Sequence, residues 1–359
     1  MNPSKTEAAV QQRYAAAALR PEAALCCPIN YDPLFLKVIP REVIEKDYGC
    51  GDPSKYLQPG ETVLDLGSGT GKICFIAAQV VGPTGRVIGV DMTDDMLAIA
   101  RRNAPIVAAR LGFANVEFRK GRIQDLALDL ERLDAELKQR PATNGDSAEL
   151  AADLRERAPL VANDAIDVVV SNCVLNLVAS EAKRELFAEL FRVLKPGGRA
   201  VISDIVCDTD VPAALQNDPT LWSGCLSGAF REDLFLRAFE TAGFHGIRLL
   251  KRDAQPWQTV AGIEFRSVTV EAFKSQPGSG IERQQAVLYR GPFTEVRDEA
   301  GLRFPRGERV TVGDQTFARL QRAPYAGHFE FIEPGTATGP EGPSAKSSAG
   351  QCCEDPACC

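Results

Sequence analysis

The sequence predicts an α/β protein: a doubly wound, mostly parallel sheet followed by a small, mostly β C-terminal unit and a disordered cysteine-rich tail. Three observations predict it. From Thr62 onward, short apolar runs alternate with helical periodicity in the order strand, turn, helix, strand, helix, strand, which implies crossover connections between parallel strands. A glycine-rich turn separates the first strand from the first helix, and an acid closes the second strand. Beyond about Phe265 the texture changes to short alternating runs broken by glycine and proline.

In chain order, residues 1–60 form an N-terminal segment carrying Cys26-Cys27-Pro28 and Asp47-Tyr48-Gly49-Cys50-Gly51. Residues 61–250 form the main domain. Its strands are predicted at Thr62–Leu66, Arg86–Val90, Val116–Phe118, Ile166–Val170 and Arg199–Ile205. Its helices are predicted at Lys72–Val81, Asp94–Leu111, Ala182–Leu194 and Glu232–Ala242. Lys195-Pro196-Gly197-Gly198 reads as a helix stop. Residues 126–163 interrupt the rhythm; Leu130, Leu133 and Leu137, then Leu150 and Leu154, fall at helical spacing around a Pro141–Asp146 break, so a charged helical insertion is predicted. Residues 251–333 form the small unit, with antiparallel strands expected at Val268–Phe273, Gln285–Tyr289, Arg309–Val312 and around Phe317. Residues 334–359 are rich in Gly, Pro, Ser and Ala and end Cys352-Cys353-Glu354-Asp355-Pro356-Ala357-Cys358-Cys359.

Bulk composition narrows the function classes. The chain has 359 residues, 45% of them hydrophobic, so it can bury a sizeable core. A net charge of −7 argues against general nucleic-acid binding. No run of about 18 apolar residues is present, and the N-terminus lacks a secretory pattern, so a cytoplasmic, non-membrane protein is expected. Eleven cysteines are many for such a chain. A core this large does not need disulfide staples, which leaves reduced thiols with a chemical purpose. The only two histidines, His245 and His328, supply Cys/His zinc sites poorly.

The turn Asp65-Leu66-Gly67-Ser68-Gly69-Thr70-Gly71 lies between a strand and a helix, where glycines let the backbone approach a ligand and the helix aims its first amides at it. Asp91 ends the next strand, placed to accept the ribose hydroxyls of a nucleoside. An acid at Asp65 would repel a pyrophosphate but suits a cationic amino-acid end. This pattern resembles the Rossmann-like methyltransferase superfamily over roughly residues 55–245. The resemblance implies S-adenosylmethionine as cofactor, with Asp65, Gly67, Ser68 and Gly69 on its methionine side, Asp91 on the ribose, Met92 on the adenine, and Ile123 and Gln124 near the base.

Substrate identity then rests on the carboxyl ends of the strands. Cys173 lies there, in Ser171-Asn172-Cys173-Val174-Leu175-Asn176-Leu177. Cys50 is flanked by glycines, and Cys225 sits in Leu221-Trp222-Ser223-Gly224-Cys225-Leu226-Ser227-Gly228. Flanking glycines favour close backbone approach, whereas Cys74 and Cys207 read as buried filler. A thiol at such a place can bind a soft electrophile or soft metal ion. Any one of these cysteines alone would read as a small core residue; together with their contexts they resemble the arsenite methyltransferases, from about Cys26 to Phe273. That resemblance implies that Cys50, Cys173 and Cys225 gather trivalent arsenic, with Tyr48 and Asn172 in the cofactor set. An upstream cysteine, Cys26 or Cys27, enters thiol–disulfide exchange. It further implies arsenite as substrate, detoxification as purpose, a thiol reductant (thioredoxin or glutathione) as partner, and a monomer. Thiolate ligation leads to the expectation that the free thiol pKa of about 8.5 is lowered locally.

The chain departs from that family's pattern at the Cys26-Cys27 pair, at the length of the insertion, and in the tail, which either loads metalloid or is dispensable. Two other readings stand beside it: a methyltransferase for a small organic acceptor, and a thiol-rich metalloid-binding or sensor protein.

Overall fold

The computed structural model describes residues 3–20, 22, 29–46, 48–139, 146–276 and 285–333. Cys26, Cys27 and the four tail cysteines lie outside the described residues. The helices are α1 (Pro3–Leu19), α2 (Pro33–Leu36), α3 (Arg41–Glu45), α4 (Lys72–Val81), α5 (Asp94–Leu111), α6 (Leu130–Gln139), α7 (Asp146–Arg157), α8 (Lys183–Val193), α9 (Ala213–Gln216), α10 (Pro219–Ser223), α11 (Glu232–Thr241) and α12 (Asp314–Leu320). The strands of the main sheet are β1 (Thr62–Leu66), β2 (Arg86–Asp91), β3 (Val116–Lys120), β4 (Ile166–Asn172), β5 (Leu194–Cys207), β6 (Phe230–Arg231), β7 (His245–Arg252), β8 (Gln258–Val260) and β9 (Ile263–Phe273). The remaining strands are β10 (Ala286–Tyr289), β11 (Glu295–Arg297), β12 (Arg303–Pro305), β13 (Arg309–Thr311) and β14 (Phe329–Ile332).

The main sheet runs β3-β2-β1-β4-β5-β9-β7, parallel from β3 to β5 and antiparallel at β9 and β7. Successive side chains of a strand face opposite sides. Val63, Val87, Val168 and Val201 therefore pack with α4 and α5 on one face, while Leu64, Leu66, Val169 and Ile202 pack with α8 and α11 on the other. Both faces are covered, as a parallel sheet requires. The strand order reverses between β1 and β4, and ligands bind outside the carboxyl ends of the strands at such a point.

Two sequence expectations fail in the C-terminal half. Val268–Phe273 was expected in the small unit, but it is part of β9, paired with β5 along Arg199–Cys207 inside the main sheet. Its residues are buried almost throughout, so alternation carries no information about which sheet holds it. Phe317 lies on α12, not on a strand, and fills the core of the small unit with Val287, Tyr289, Phe304 and Phe329. The Lys195–Gly198 stop lies within β5. His245 on β7 bridges the two bodies, its ring 6.2 Å from Phe273 and 5.9 Å from Tyr325; burial lowers its pKa to about 4.

The leucines of the insertion meet one another: Leu130, Leu133 and Leu137 of α6 pack on Leu150 and Leu154 of α7. The N-terminal segment contributes α1, which lies across α5 and α10. Arg13 on α1 donates to the Thr220 carbonyl at 2.7 Å and to Ser223 Oγ at 3.0 Å. No helix among the described residues is long and apolar enough to cross a membrane.

Candidate functional site

The cofactor end is built from backbone. Gly67 and Gly69 have φ of +66° and +52°, a region where an L-residue is penalised. A Cβ on Gly67 would lie 2.4 Å from Val174 Cγ1, so the missing side chain lets the segment after β4 approach the turn. Asp91 closes the turn: Oδ2 accepts from Gly69 N at 2.9 Å and Oδ1 from Thr93 N at 2.8 Å. Burial raises the Asp91 carboxyl, against the hydrogen bonds that hold it down.

A cavity of about 130 Å³, open at its mouth, begins at this turn. It is lined by Tyr48, Gly67, Gly69, Asp91, Met92, Ile123, Gln124, Asn172 and Cys173, nine of the residues expected at the site. Asp65 and Ser68 do not line it. Asp65 is 2% exposed and accepts a hydrogen bond from the Cys74 thiol at 3.2 Å, beneath the turn. Cys74 is therefore buried, as expected, but it also orients an acid. Ser68 is buried with its hydroxyl unpaired by protein. Gly67, Gly69 and Asp91, which do line the cavity, are the groups that fit a polar ligand such as S-adenosylmethionine. The sequence did not reveal that α1 roofs the cavity with Glu7, Val10 and Tyr14. The one available signal was the alanine-rich run after Tyr14, which favours helix.

The thiol end is built from side chains. Cys173 follows β4, Cys225 follows α10, and Cys50 precedes the first strand by eleven residues. Asn172 joins the Cys173 region to the Cys50 loop: its Oδ1 accepts from Cys50 N at 2.9 Å and Gly51 N at 3.0 Å, and its Nδ2 donates to Gly51 O at 2.9 Å and Tyr31 Oη at 3.1 Å. Expected as a cofactor residue, Asn172 spends these atoms on the Cys50 loop while one side of it lines the cavity. Ser267 Oγ on β9 adds a 2.6 Å bond to Cys50 O. The glycines beside Cys50 serve this close approach, since a Cβ on Gly49 would lie 2.3 Å from Asn172 Nδ2 and one on Gly51 2.5 Å from Ser203.

Cys173 and Cys225 are both in the left-handed region, with φ of +65° and +61°. Such conformations cost about 1–2 kcal/mol each and persist only where the surroundings impose them. For Cys173 the restraint is its N–H on Ser203 O at 2.8 Å. For the Cys225 loop it is Asn176, whose Nδ2 donates to Asp204 Oδ1, Ile205 O and Cys225 O at 2.8, 2.6 and 3.4 Å. Cys225 Sγ in turn donates to the Cys173 carbonyl at 3.1 Å, and Tyr14 Oη of α1 lies 3.9 Å from it. Cys50 Sγ lies within 4.8 Å of Cys173 Sγ, and Cys225 Sγ reaches the Cys173 carbonyl, so both cysteines meet at Cys173.

Their protonation reverses the expectation of lowered thiol pKa. Hydrogen bonding to Cys225 pulls the Cys173 thiol down, but its contact with Cys50 and burial outweigh this and hold it well above the ordinary range. Contact with Cys173 and burial do the same to Cys225. Among the described residues no cation forms an ion pair with the sulfurs of Cys173 and Cys225; Arg13 and Lys183 act on Cys225 only electrostatically, and the nearest acid works against ionisation. That acid, Asp204, is 1% exposed and pushed up to about 6 by burial. Asp204, Asn176 and Lys183 form a buried polar layer under the thiols that sequence reading missed, although a lone acid inside the apolar run Val201–Val206 was the signal available. Lys183 donates to Gly228 O and stands 4.0 Å above the Phe230 ring; burial lowers it to about 8. Cys207 stays apart from this chemistry, buried on β5 and donating to Phe230 O at 3.3 Å.

Known proteins sort the same way. A family model described as a methyltransferase domain matches residues 57–139 and 145–243, and one described as a domain of unknown function matches residues 276–357. The arsenite methyltransferase of Aquipseudomonas alcaligenes is 34% identical over 87% of this chain and 85% of its own length. The arsenite methyltransferase of Mus musculus is 30% identical over 82% of this chain and 73% of its own. The crystal structure of an arsenic (III) S-adenosylmethionine methyltransferase from Chlamydomonas reinhardtii superposes with a TM-score of 0.57 at 28% identity, covering 86% of this chain and 97% of that one. With a methyltransferase domain spanning its sheet and relatives of one kind matching nearly its full length, the chain belongs to the arsenite methyltransferase family.

Proposed function

We propose that this protein transfers a methyl group from S-adenosylmethionine to trivalent arsenic held by Cys50, Cys173 and Cys225. The observation that carries this reading is the convergence of three thiols from distant segments around Cys173, which also lines the cofactor cavity.

S-adenosylmethionine supplies an electrophilic methyl on a sulfonium. Asp91 would hold the ribose hydroxyls, Met92, Ile123 and Gln124 would bracket the base, and the Gly67–Gly69 turn would receive the methionine end. Asp65 acts from beneath that turn. The protein's contribution is proximity and alignment. Arsenite enters as the neutral trihydroxide and condenses with three protonated thiols, forming three arsenic–sulfur bonds and releasing three waters. Raised thiol pKa values therefore do not oppose loading. Arsenic so held is pyramidal, and its lone pair attacks the methyl carbon without a general base. That lone pair becomes the arsenic–carbon bond as the methyl–sulfonium bond breaks and S-adenosylhomocysteine leaves, so the methylated arsenic is formally two electrons more oxidised. Two thiols forming a disulfide return those electrons, with Cys26 or Cys27 as one partner, and a small or protein dithiol reductant restores the pair. A monomer working in a reducing cytoplasm suits this cycle, with arsenic detoxification as its purpose.

The test incubates the reduced protein with arsenite, S-adenosylmethionine and a thiol reductant and speciates arsenic by chromatography and mass spectrometry. Methylated arsenic should form with the parent and fall at least a hundredfold with Cys173→Ser, while cofactor binding changes little. Bound cofactor without methylated arsenic would overturn the reading and turn attention to organic acceptors.

A further inference from the structure

Asp204 is an acid that the methyl transfer does not use. It stands near the end of β5, 1% exposed, where an unpaired charge is costly. Its oxygens accept from Leu175 N at 2.9 Å, Ile205 N at 2.8 Å and Asn176 Nδ2 at 2.8 Å. The backbone N–H of Asn176 also holds the charged form down, so the donors reach roughly the four acceptor positions of a carboxylate, and a cation would take the place of one of them. Among the described residues no ammonium or guanidinium forms an ion pair with it. Lys183 acts on it electrostatically but gives its proton to Gly228 O. Beside these donors stand two thiols: a carboxylate oxygen of Asp204 and the Sγ atoms of Cys50 and Cys173 all lie within 4.8 Å of one another.

We propose that Cys50, Cys173 and Asp204 form a site for a borderline-soft divalent cation of the zinc and cadmium class, and that such a cation competes with trivalent arsenic for the two thiols. Bonds of roughly 2.3 Å to sulfur and 2.0–2.2 Å to a carboxylate oxygen put tetrahedral ligands about 3.5 Å apart, so the cluster needs to contract by about an ångström. Three protein ligands and one open position, filled by water, make a recognised zinc arrangement. On binding, the two thiols release two protons to solvent and form two metal–sulfur bonds, and the ionised carboxylate adds the third. The cation supplies the positive charge that the buried carboxylate lacks.

The two ligand sets overlap and then diverge. Arsenic takes a third sulfur, Cys225, and keeps its lone pair; a tetrahedral cation takes a hard oxygen, Asp204. Asp204 thus sets which soft ion the pocket admits. The inference shares two thiols with the methyl-transfer reading but does not depend on it, because cation binding is measured without arsenite or cofactor.

The test titrates the reduced full-length protein with cadmium alone, followed by thiolate-to-cadmium charge-transfer absorption, and with arsenite alone, by equilibrium dialysis. The readout is the ratio of the two affinities, which cancels changes common to both ions, and the tail thiols are the same in every variant. Asp204→Asn should weaken cadmium at least tenfold relative to arsenite. Cys225→Ser should shift the ratio the opposite way by a similar factor. Asp204→Glu, which keeps the carboxylate, should restore cadmium binding in part and guards against a folding artefact. Equal ratios in the parent, Asp204→Asn and Cys225→Ser would overturn the proposal, as would arsenite occupancy that cadmium fails to lower.

Discussion

The two ends of the cavity are made differently. The turn at the cofactor end is local: Gly67, Gly69 and Asp91 come from one strand–turn–helix–strand unit, and Asp91 holds it through backbone N–H groups. The thiol end is assembled from residues 50, 173 and 225, which meet only because Asn172, Asn176 and Ser267 tie their loops to the ends of β4, β5 and β9. A local site tolerates changes elsewhere in the chain. A site pinned by buried side-chain hydrogen bonds and two left-handed cysteines depends on every brace. The difference suggests that the cofactor end holds its shape while acceptor chemistry is set by what is pinned opposite it.

Breaking one end should leave the other standing. The largest effect is expected for Asp91→Ala, which removes the acceptor of both Gly69 N and Thr93 N and the expected ribose ligand. Hydrogen bonds to a charged group are worth about 1.5–3 kcal/mol, so cofactor affinity should fall about tenfold to a hundredfold. Calorimetry with cofactor and, separately, with arsenite checks this; an equal loss of both would erase the distinction between the ends. Asn172→Ala is the converse experiment. It frees the Cys50 loop and strands two buried N–H groups, costing about 1–3 kcal/mol of stability. Arsenite affinity should fall several-fold more than cofactor affinity, although Asn172 touches both.

The pH dependence sharpens the comparison. Cys173 and Cys225 are held above the ordinary thiol range, so both are protonated at neutral pH, and condensation with arsenite releases water instead of protons. Arsenite affinity should be nearly flat between about pH 6 and 8. A tenfold rise per pH unit would show that a thiolate must form first. The same shifts act on stability in one direction: the unfolded thiols ionise before the folded ones, so the thiols' contribution to the stability of the ligand-free protein is lost above about pH 8.5, while Lys183, lowered to about 8, opposes this up to its ordinary value. The smallest effect is expected at Cys207. Cys207→Ala deletes a buried thiol of β5 that takes no part in the convergence, and arsenic methylation should stay within about twofold with a stability loss of about 1 kcal/mol. A loss of methylation as large as for Cys173→Ser would redraw the triad.

How much was readable follows the same division. The turn from Asp65 to Gly71 and the acid Asp91 could be placed from spacing alone, because strand, turn and helix are neighbours in sequence. The segments bearing Cys50, Cys173 and Cys225 were recognisable by resemblance, but no periodicity says that they meet. The braces were invisible: Asn176 and Asp204 are 28 residues apart, and Asn172 is 122 residues from Cys50. Cys74 and Cys207 were both read as filler, yet one of them holds Asp65. The roofing role of α1 escaped because a helix that covers a ligand needs no motif. The strand β9 was misplaced because a strand buried on both faces does not announce its sheet.

The central claim is that three sulfurs, from Cys50, Cys173 and Cys225, hold arsenic beside the cofactor. X-ray absorption at the arsenic edge, on the reduced protein loaded with one equivalent of arsenite, tests it most directly. The account predicts three sulfur neighbours and no oxygen in the parent, and two sulfurs with one oxygen in Cys225→Ser. Three sulfurs in both proteins, or fewer than three in the parent, would contradict it.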